Sequence, residues 1–241
     1  MAPITQDSIR NNLLRSLPVE AFASLLPAME PIALPLKFCL VESNVANSHV
    51  IFIESGLCSL VAGSADGEDI EVGHIGYEGM SGGHSLLRVD RTPNRTFMQV
   101  AGHGIRVPVP DLMRLLDDPA VNALFMNYVH CCEVQLAHSA LANARYTMHE
   151  RLARRLLMCH DRITGDDLPI THEFLSLMLG VRRSGVTNEL HVIEGVKAIR
   201  ATRGNIRITD RARLESIAGA CYGLPEQEYK RLIGFRPPAS S

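Results

Sequence analysis

The stretch "LGVRRSGVTNEL", residues 179–190, gathers the side chains best suited to chemistry in this chain. Two adjacent arginines, Arg182 and Arg183, open it, and Ser184, Thr187 and Asn188 follow. A guanidinium can pair bidentately with guanine O6 and N7, and a carboxamide can do the same with adenine. Hydroxyls and arginines also serve phosphate oxygens. The apolar residues Val186, Leu190 and Ile193 fall at i, i+4 and i+7, the spacing of one helix face. At 100° per residue, Ser184, Asn188 and His191 lie opposite that face, with Arg183 on the flank of the first turn. Gly185 falls on neither face, and at an interior helix position it costs about 1 kcal/mol.

The elements around this stretch must hold it in place. Thr171 can cap a helix through "HEFLSLML", whose Phe174, Leu175 and Met178 form a buried face. Gly180 then falls where two helices meet at a sharp angle, where the left-handed conformation suits glycine. "AIRATRGNIRIT", 198–209, alternates about Arg203-Gly204-Asn205 as a hairpin would, and it carries Arg203 and Arg207 toward a polyanion. A helix presenting its polar N-terminal turn beside such a wing is the geometry of a major-groove reader.

Upstream, "TMHERLARRLLMCHDRI", 147–163, reads as a helix, and "TGDDLP" breaks the chain after it. The segment 118–145 has no Gly and, past Pro119, no Pro, so it predicts a helix about 40 Å long. It carries two apolar stripes, Val121, Leu124, Tyr128 and Cys131, and Phe125, Val129, Cys132 and Leu136. Two stripes imply two packing partners, and a parallel copy of the same helix is the economical second one, meeting the stripe Phe125, Val129, Cys132 and Leu136. Between Pro31 and Pro110 the chain turns to short β-branched segments separated by glycine turns, including an Asp66-Gly67 hairpin signal. This predicts a β-sandwich or barrel. Residues 7–29 read as short helices.

Composition bounds the rest. With 241 residues and 46% hydrophobic residues, the chain can bury one large or two modest cores. The net charge of −2 conceals an asymmetry: residues 1–145 hold 9 basic and 15 acidic residues, and residues 146–241 hold 15 and 11. All but three of the 24 basic residues are arginine, so the C-terminal half is the one suited to a polyanion. No apolar run reaches the roughly 18 residues of a membrane span, and the start is not expected to act as a secretory signal. Six scattered cysteines without a CxxC suit reduced thiols in the cytoplasm. No GxSxG, Walker A, HExxH or GxGxxG is present, so no enzyme is expected. "HCC", 130–132, points three side chains in different directions and makes a poor metal site. Residues 1–38 hold no Cys, and His74 or His130 as a haem ligand is a weaker reading than a structural histidine. No metal or cofactor is expected.

Over nearly its whole length the chain resembles a Crp/Fnr-type transcription regulator. The specific match is "ITHEFLSLMLGVRRSGVTNELHVIE" followed by "IRATRGNIRITDRARLE", with "RLARRLL" at the family's hinge. The resemblance implies an α+β fold: an N-terminal jelly-roll β-barrel of the cyclic-nucleotide-binding type (1–117), a long dimerisation helix (118–145) and a C-terminal winged helix-turn-helix (146–241). It implies base reading by Arg183, Ser184 and Asn188 and a phosphate contact from Thr171. It also implies double-stranded DNA, a second copy of the chain and RNA polymerase as partners, a small-molecule effector and no membrane. Ser184 and Asn188 replace the family's usual acidic residue and second arginine, so the operator is expected to differ.

The family's cyclic-AMP cassette corresponds to "GYEGMSGG", 76–83, and "NRTF", 94–97. This makes Gly76, Glu78, Gly79, Arg95 and Thr96 the candidate effector residues, with Leu136 from the long helix. Tyr77 interrupts the Gly-Glu pair, and Leu136 and Ala137 stand where hydroxyls would hold the base, so an effector other than cyclic AMP is expected. The rival reading is a cyclic-nucleotide-type module acting on a protein partner; the recognition-helix pattern and the wing argue against it.

Overall fold

The computed structural model describes residues 4–67 and 69–234, so both chain ends and Glu68 of the expected hairpin lie outside the described residues. Two short helices, α1 (Asn12–Ser16) and α2 (Val19–Leu25), precede seven strands: β1 (Glu30–Leu34), β2 (Cys39–Val41), β3 (His49–Ile53), β4 (Leu57–Gly63), β5 (Asp69–Ile75), β6 (Arg95–Val100) and β7 (Gly102–Pro108). They form two antiparallel sheets, ordered β1-β7-β3 and β2-β6-β4-β5. The expected barrel is therefore not closed. Two facing sheets of jelly-roll type enclose Leu34, Leu40, Ile51, Ile53, Cys58 and Met98. The strand period of two explains how β3 serves two cores at once. Ile51 and Ile53 face the second sheet, while Val50 and Phe52 face the helices.

Helix α3 (Val109–Leu115) leads to the long helix α4 (Pro119–Arg145). Asp118 caps α4 by accepting from the amides of Ala120 and Val121, and Pro119 sits at the first helical position, where its missing N–H costs nothing. The two stripes of α4 do not divide as expected. Phe125 is fully buried in its own protomer, 6.3 Å from Phe52, in a core that also holds Val121, Tyr128 and Cys131. Val129 and Cys132 pack against that same core, and Leu136 borders a cavity. Phe125 is thus closed to a second copy, Val129 and Cys132 are half-buried, and Leu136 stays 38% exposed. Among the α4 residues left exposed or half-buried are Ala123, Asn127, Val134, Ala137, Leu141 and Ala144, at the heptad spacings of a coiled-coil seam. His130 on the same line lies 3.4 Å from Glu228. Helical periodicity identified the apolar residues but could not say which stripe the protomer's own sheet would claim.

The second half begins with α5 (Met148–His160), opened by a capping box between Thr147 and Glu150. Strand β8 (Asp167–Leu168), α6 (His172–Leu179), α7 (Arg183–Gly195), β9 (Ile199–Thr202), β10 (Asn205–Ile208), α8 (Arg211–Ala218) and α9 (Leu224–Leu232) follow. The hairpin β9-β10 was expected; β8 joins it as a third strand in the order β8-β10-β9. Leu152, Leu156, Leu175, Val186, Leu190, Ile193 and Ile206 form the second core. The tail departs from expectation. Helix α9 returns to the first half and packs on α4, with Tyr229 buried in the sheet-side core and its hydroxyl donating to Glu78 O at 2.6 Å.

Because Phe125 supports the fold of one protomer, Phe125→Ala is expected to lower unfolding stability by about 3–5 kcal/mol at any protein concentration. Denaturant titration checks this; an effect confined to dilute protein would place Phe125 back at a subunit contact.

Candidate nucleic-acid interface and interdomain seam

The helix-turn-helix is built as its sequence dictates. The Thr171 hydroxyl accepts from the amide of Phe174 at 3.1 Å, capping α6. Gly180 closes α6 in the left-handed conformation, with φ 62° and ψ 38°. Val186, Leu190 and Ile193 of α7 are fully buried, which turns Arg182, Arg183, Ser184 and Asn188 to solvent. Thr187 is half-buried: its hydroxyl donates to Arg183 O at 3.1 Å and lies 3.0 Å from His172 Nδ1. A Cβ at Gly185 would meet nothing within 4 Å, so no contact inside the protein demands glycine there.

One concave surface between α6, α7 and the wing is lined by Thr171, Arg183, His191, Thr202 and Arg203, together with the acidic Glu173 and Glu194. The structure therefore brings three of the expected contact residues together. Arg182 instead opens into a cleft between α6 and the sheet, near Asp69 and Ile70. Arg207 points out from the wing beside Asp167, 3.7 Å away. Arg200 stands opposite Arg207 in the β9-β10 register, a basic neighbour that strand alternation about Gly204 could have revealed.

The expected effector residues do not share one pocket. Arg95 Nη2 donates to Asp69 Oδ2 at 2.9 Å and its guanidinium lies over Phe97, partly in solvent. Thr96 is buried in β6. Neither lines the cavity that Glu78 borders. Gly76, Glu78 and Gly79 are instead engaged by neighbouring side chains. Arg162 Nε donates to Glu78 Oε1 at 2.6 Å, and Arg162 Nη1 donates to Met158 O at 2.8 Å. Glu78 also accepts from the Gly76 amide. A Cβ on Gly76 would lie 2.7 Å from Arg162 Cβ and 2.8 Å from its Cγ; on Gly79 it would lie on the Tyr128 ring. These glycines let the second half of the chain, and α4, approach the sheet closely.

A second buried link runs in parallel. Arg155 Nη1 donates to Glu71 Oε1 at 2.5 Å, and Ser59 donates to the other oxygen of Glu71. Burial, with Arg162, Arg155 and Arg154 close by, holds His74 well below the ordinary imidazole range. It is therefore neutral, and its Nδ1 accepts from Arg155 Nη1 at 2.7 Å. Arg155 Nη2 reaches on to Met178 O of α6 at 3.3 Å. Beside the Arg162–Glu78 link lies a cavity of about 340 Å³, mostly apolar, lined by residues including Leu60, Tyr128, Leu136, Tyr222 and Tyr229. All six cysteines are free thiols, and burial pushes Cys131 up to about 11 and Cys132 up to about 12, so both remain protonated and poorly reactive. Among the described residues no helix is long and apolar enough to cross a membrane.

A two-sheet unit, a long helix and a winged helix-turn-helix with a solvent-facing second helix define the architecture of the chain. Residues 150–217 match the Crp-like helix-turn-helix domain family. The chain is similar in fold to FixK2 from Bradyrhizobium japonicum (TM-score 0.70, 14% identity, covering 80% of this chain and 98% of that one). It is also similar to a CRP-family transcriptional regulator of Thermus thermophilus (0.64, 18%, 79% and 97%). A third similar structure is CLP of Xanthomonas campestris, described as a c-di-GMP responsive global regulator (0.63, 13%, 79% and 99%). No curated protein matches the chain in sequence. The chain thus has the fold of the Crp/Fnr transcription regulators, and its C-terminal part is a Crp-like helix-turn-helix domain.

The close approach at Gly76 gives a direct test. Gly76→Ala is expected to destabilise the protein by about 1–3 kcal/mol, because the methyl meets the root of the Arg162 side chain rather than its flexible end. Gly83→Ala, where a Cβ meets nothing within 4 Å, is expected to stay within about 0.5 kcal/mol of the parent. Thermal unfolding of the two variants side by side checks the contrast.

Proposed function

We propose that this protein is a cytoplasmic, homodimeric, sequence-specific DNA-binding transcription regulator of the Crp/Fnr type. Residues 1–117 sense a small molecule, 118–145 pair two copies, and 146–241 read DNA. The observation that carries the reading is the division of α7: its apolar face is fully buried, and Arg182, Arg183, Ser184 and Asn188 face outward. Arg183 and Asn188 are the base readers, Ser184 supports them, and Thr171, Arg203 and Arg207 contact phosphates, with Thr187 and Arg182 at the edges of the contact. The open ground around Gly185 suits close approach of the DNA backbone. Two α7 helices related by a two-fold axis require a pseudo-palindromic site with half-sites about one turn apart. RNA polymerase is the machine such a bound dimer acts on.

The sensor's chemistry favours an effector other than cyclic AMP. Glu78 is neutralised by Arg162, Arg95 by Asp69, and Leu136 and Ala137 offer no hydroxyls to a base. The apolar cavity between α4 and α9 supports effector entry at the seam, where occupancy can move α5 and with it the helix-turn-helix.

Gel shift on the DNA upstream of the protein's own coding sequence is expected to show a complex at about 50 mM salt that weakens steeply as salt rises. Arg183→Ala is expected to lose about 1–3 kcal/mol of binding and to relax specificity at one base pair per half-site. No complex at low salt contradicts the proposal. For the pairing of α4, Leu141→Asp, at a side chain 44% exposed, is expected to yield a folded monomer by small-angle scattering, where the parent is a dimer. A dimer in both would place the seam elsewhere.

A further inference from the structure

Three arginines of one helix, Arg151, Arg154 and Arg155 of α5, line a second cavity of about 300 Å³ between β5, α4 and α6. Arg154 and Arg155 are almost wholly buried. The groups facing them are few. From β5 comes Glu71, already bonded to Arg155 and Ser59. From α4 come Ser139, whose hydroxyl lies 3.4 Å from Arg154 Nη2, and the uncharged Asn143. From α6 come only the backbone carbonyls of Met178 and Leu179. His74 is neutral. Glu226 of α9 attracts Arg154 from a distance without forming an ion pair. Three positive charges thus meet one buried carboxylate. The Nε–H groups of Arg151 and Arg155 are buried and meet no acceptor. Burial, reinforced by Arg155, holds Arg154 down to about 10.

A buried charge is tolerable when it is paired and hydrogen-bonded, and strongly unfavourable when it is not. The buried excess is the charge of Arg154, with the half-exposed Arg151 beside it, at a cavity large enough for a small molecule. We infer that this cavity binds a small anion carrying two or more negative charges, a phosphate ester or a di- or tricarboxylate, held by Arg151, Arg154 and Arg155. Planar guanidinium groups match the oxygens of either class in bidentate fashion. The site sits at the machinery that orients the helix-turn-helix: Arg151 Nη2 donates to Leu179 O at 2.6 Å and Arg155 Nη2 to Met178 O, so the same arginines hold the last turn of α6. An anion that fixes them stiffens the mounting of the helix-turn-helix.

The test uses the full chain without DNA, so it stands or falls separately from the DNA-binding reading. Thermal unfolding is followed at constant ionic strength with inorganic phosphate, pyrophosphate or succinate as probe and chloride as control. At a concentration about a hundredfold above Kd, a bound probe is expected to raise Tm by roughly 5–10 °C relative to chloride. Response to the phosphates alone or to succinate alone assigns the class. Arg154→Gln is expected to abolish the shift, and Arg154→Lys to keep part of it. If Arg154→Gln does not fold, Arg151→Gln, at a half-exposed position, takes its place with the same expected loss. No rise above chloride for any probe up to about 10 mM overturns the inference, as does a full shift that survives in the folded glutamine variant.

Discussion

Arg162 and Glu78 meet at 2.6 Å with each side chain about nine-tenths removed from water, across 84 residues of sequence. Such a pair is worth making only when its geometry is tight and its remaining hydrogen-bonding groups are satisfied. Both conditions hold. Met158 O takes a second guanidinium hydrogen, and the Gly76 amide serves the carboxylate. Tyr229 ties the Glu78 carbonyl to the C-terminal helix. The absence of a side chain at Gly76 is what lets Arg162 come this close. Remove either partner alone, and an isolated charge is left in a low-dielectric seam.

From that constraint the arrangement of the second half follows. Arg162 pins the end of α5 to the cassette loop, and Arg155 pins its middle to β5 through Glu71. Helix α5 in turn holds α6 by its final carbonyls, and Gly180 fixes the angle from α6 into α7. The direction in which Arg183 and Asn188 face is therefore set by a chain of contacts that begins in the sheet. The apolar cavity and the arginine-lined cavity lie on either side of this chain, both bordered by Leu136. On the proposed reading, a molecule entering either one would act on the mounting of α7 rather than on the helix itself.

The recognition helix, its Thr171 cap, the Gly180 turn and the wing were legible in the sequence because each is a local matter of spacing, capping and backbone conformation. The roles of "GYEGMSGG" and of the α4 stripes were not, because both are decided by partners far away in sequence. Nothing near Glu78 announces Arg162, and nothing on α4 says that β3 will claim Phe125 while Ala137 and Leu141 stay open. Glycines that suit a phosphate equally suit a close side chain, so the residue types alone left two outcomes open. Arg95 matched by position, yet the outward turn of its side chain onto Asp69 depends on the β4-β5 hairpin beside it. Helix α9 was missed because its return to the first core rests on Tyr229 and two apolar neighbours, too few to set a pattern.

The claim on which the rest depends is that Arg162 and Glu78 act as one buried unit joining the sheet unit to the helix-turn-helix. A double-mutant cycle of Arg162→Gln and Glu78→Gln, read by denaturant unfolding, measures this most directly. Each single substitution is predicted to cost about 3–5 kcal/mol by stranding its partner's charge, and the double to cost no more than either single. Single effects that simply add in the double variant would contradict the account.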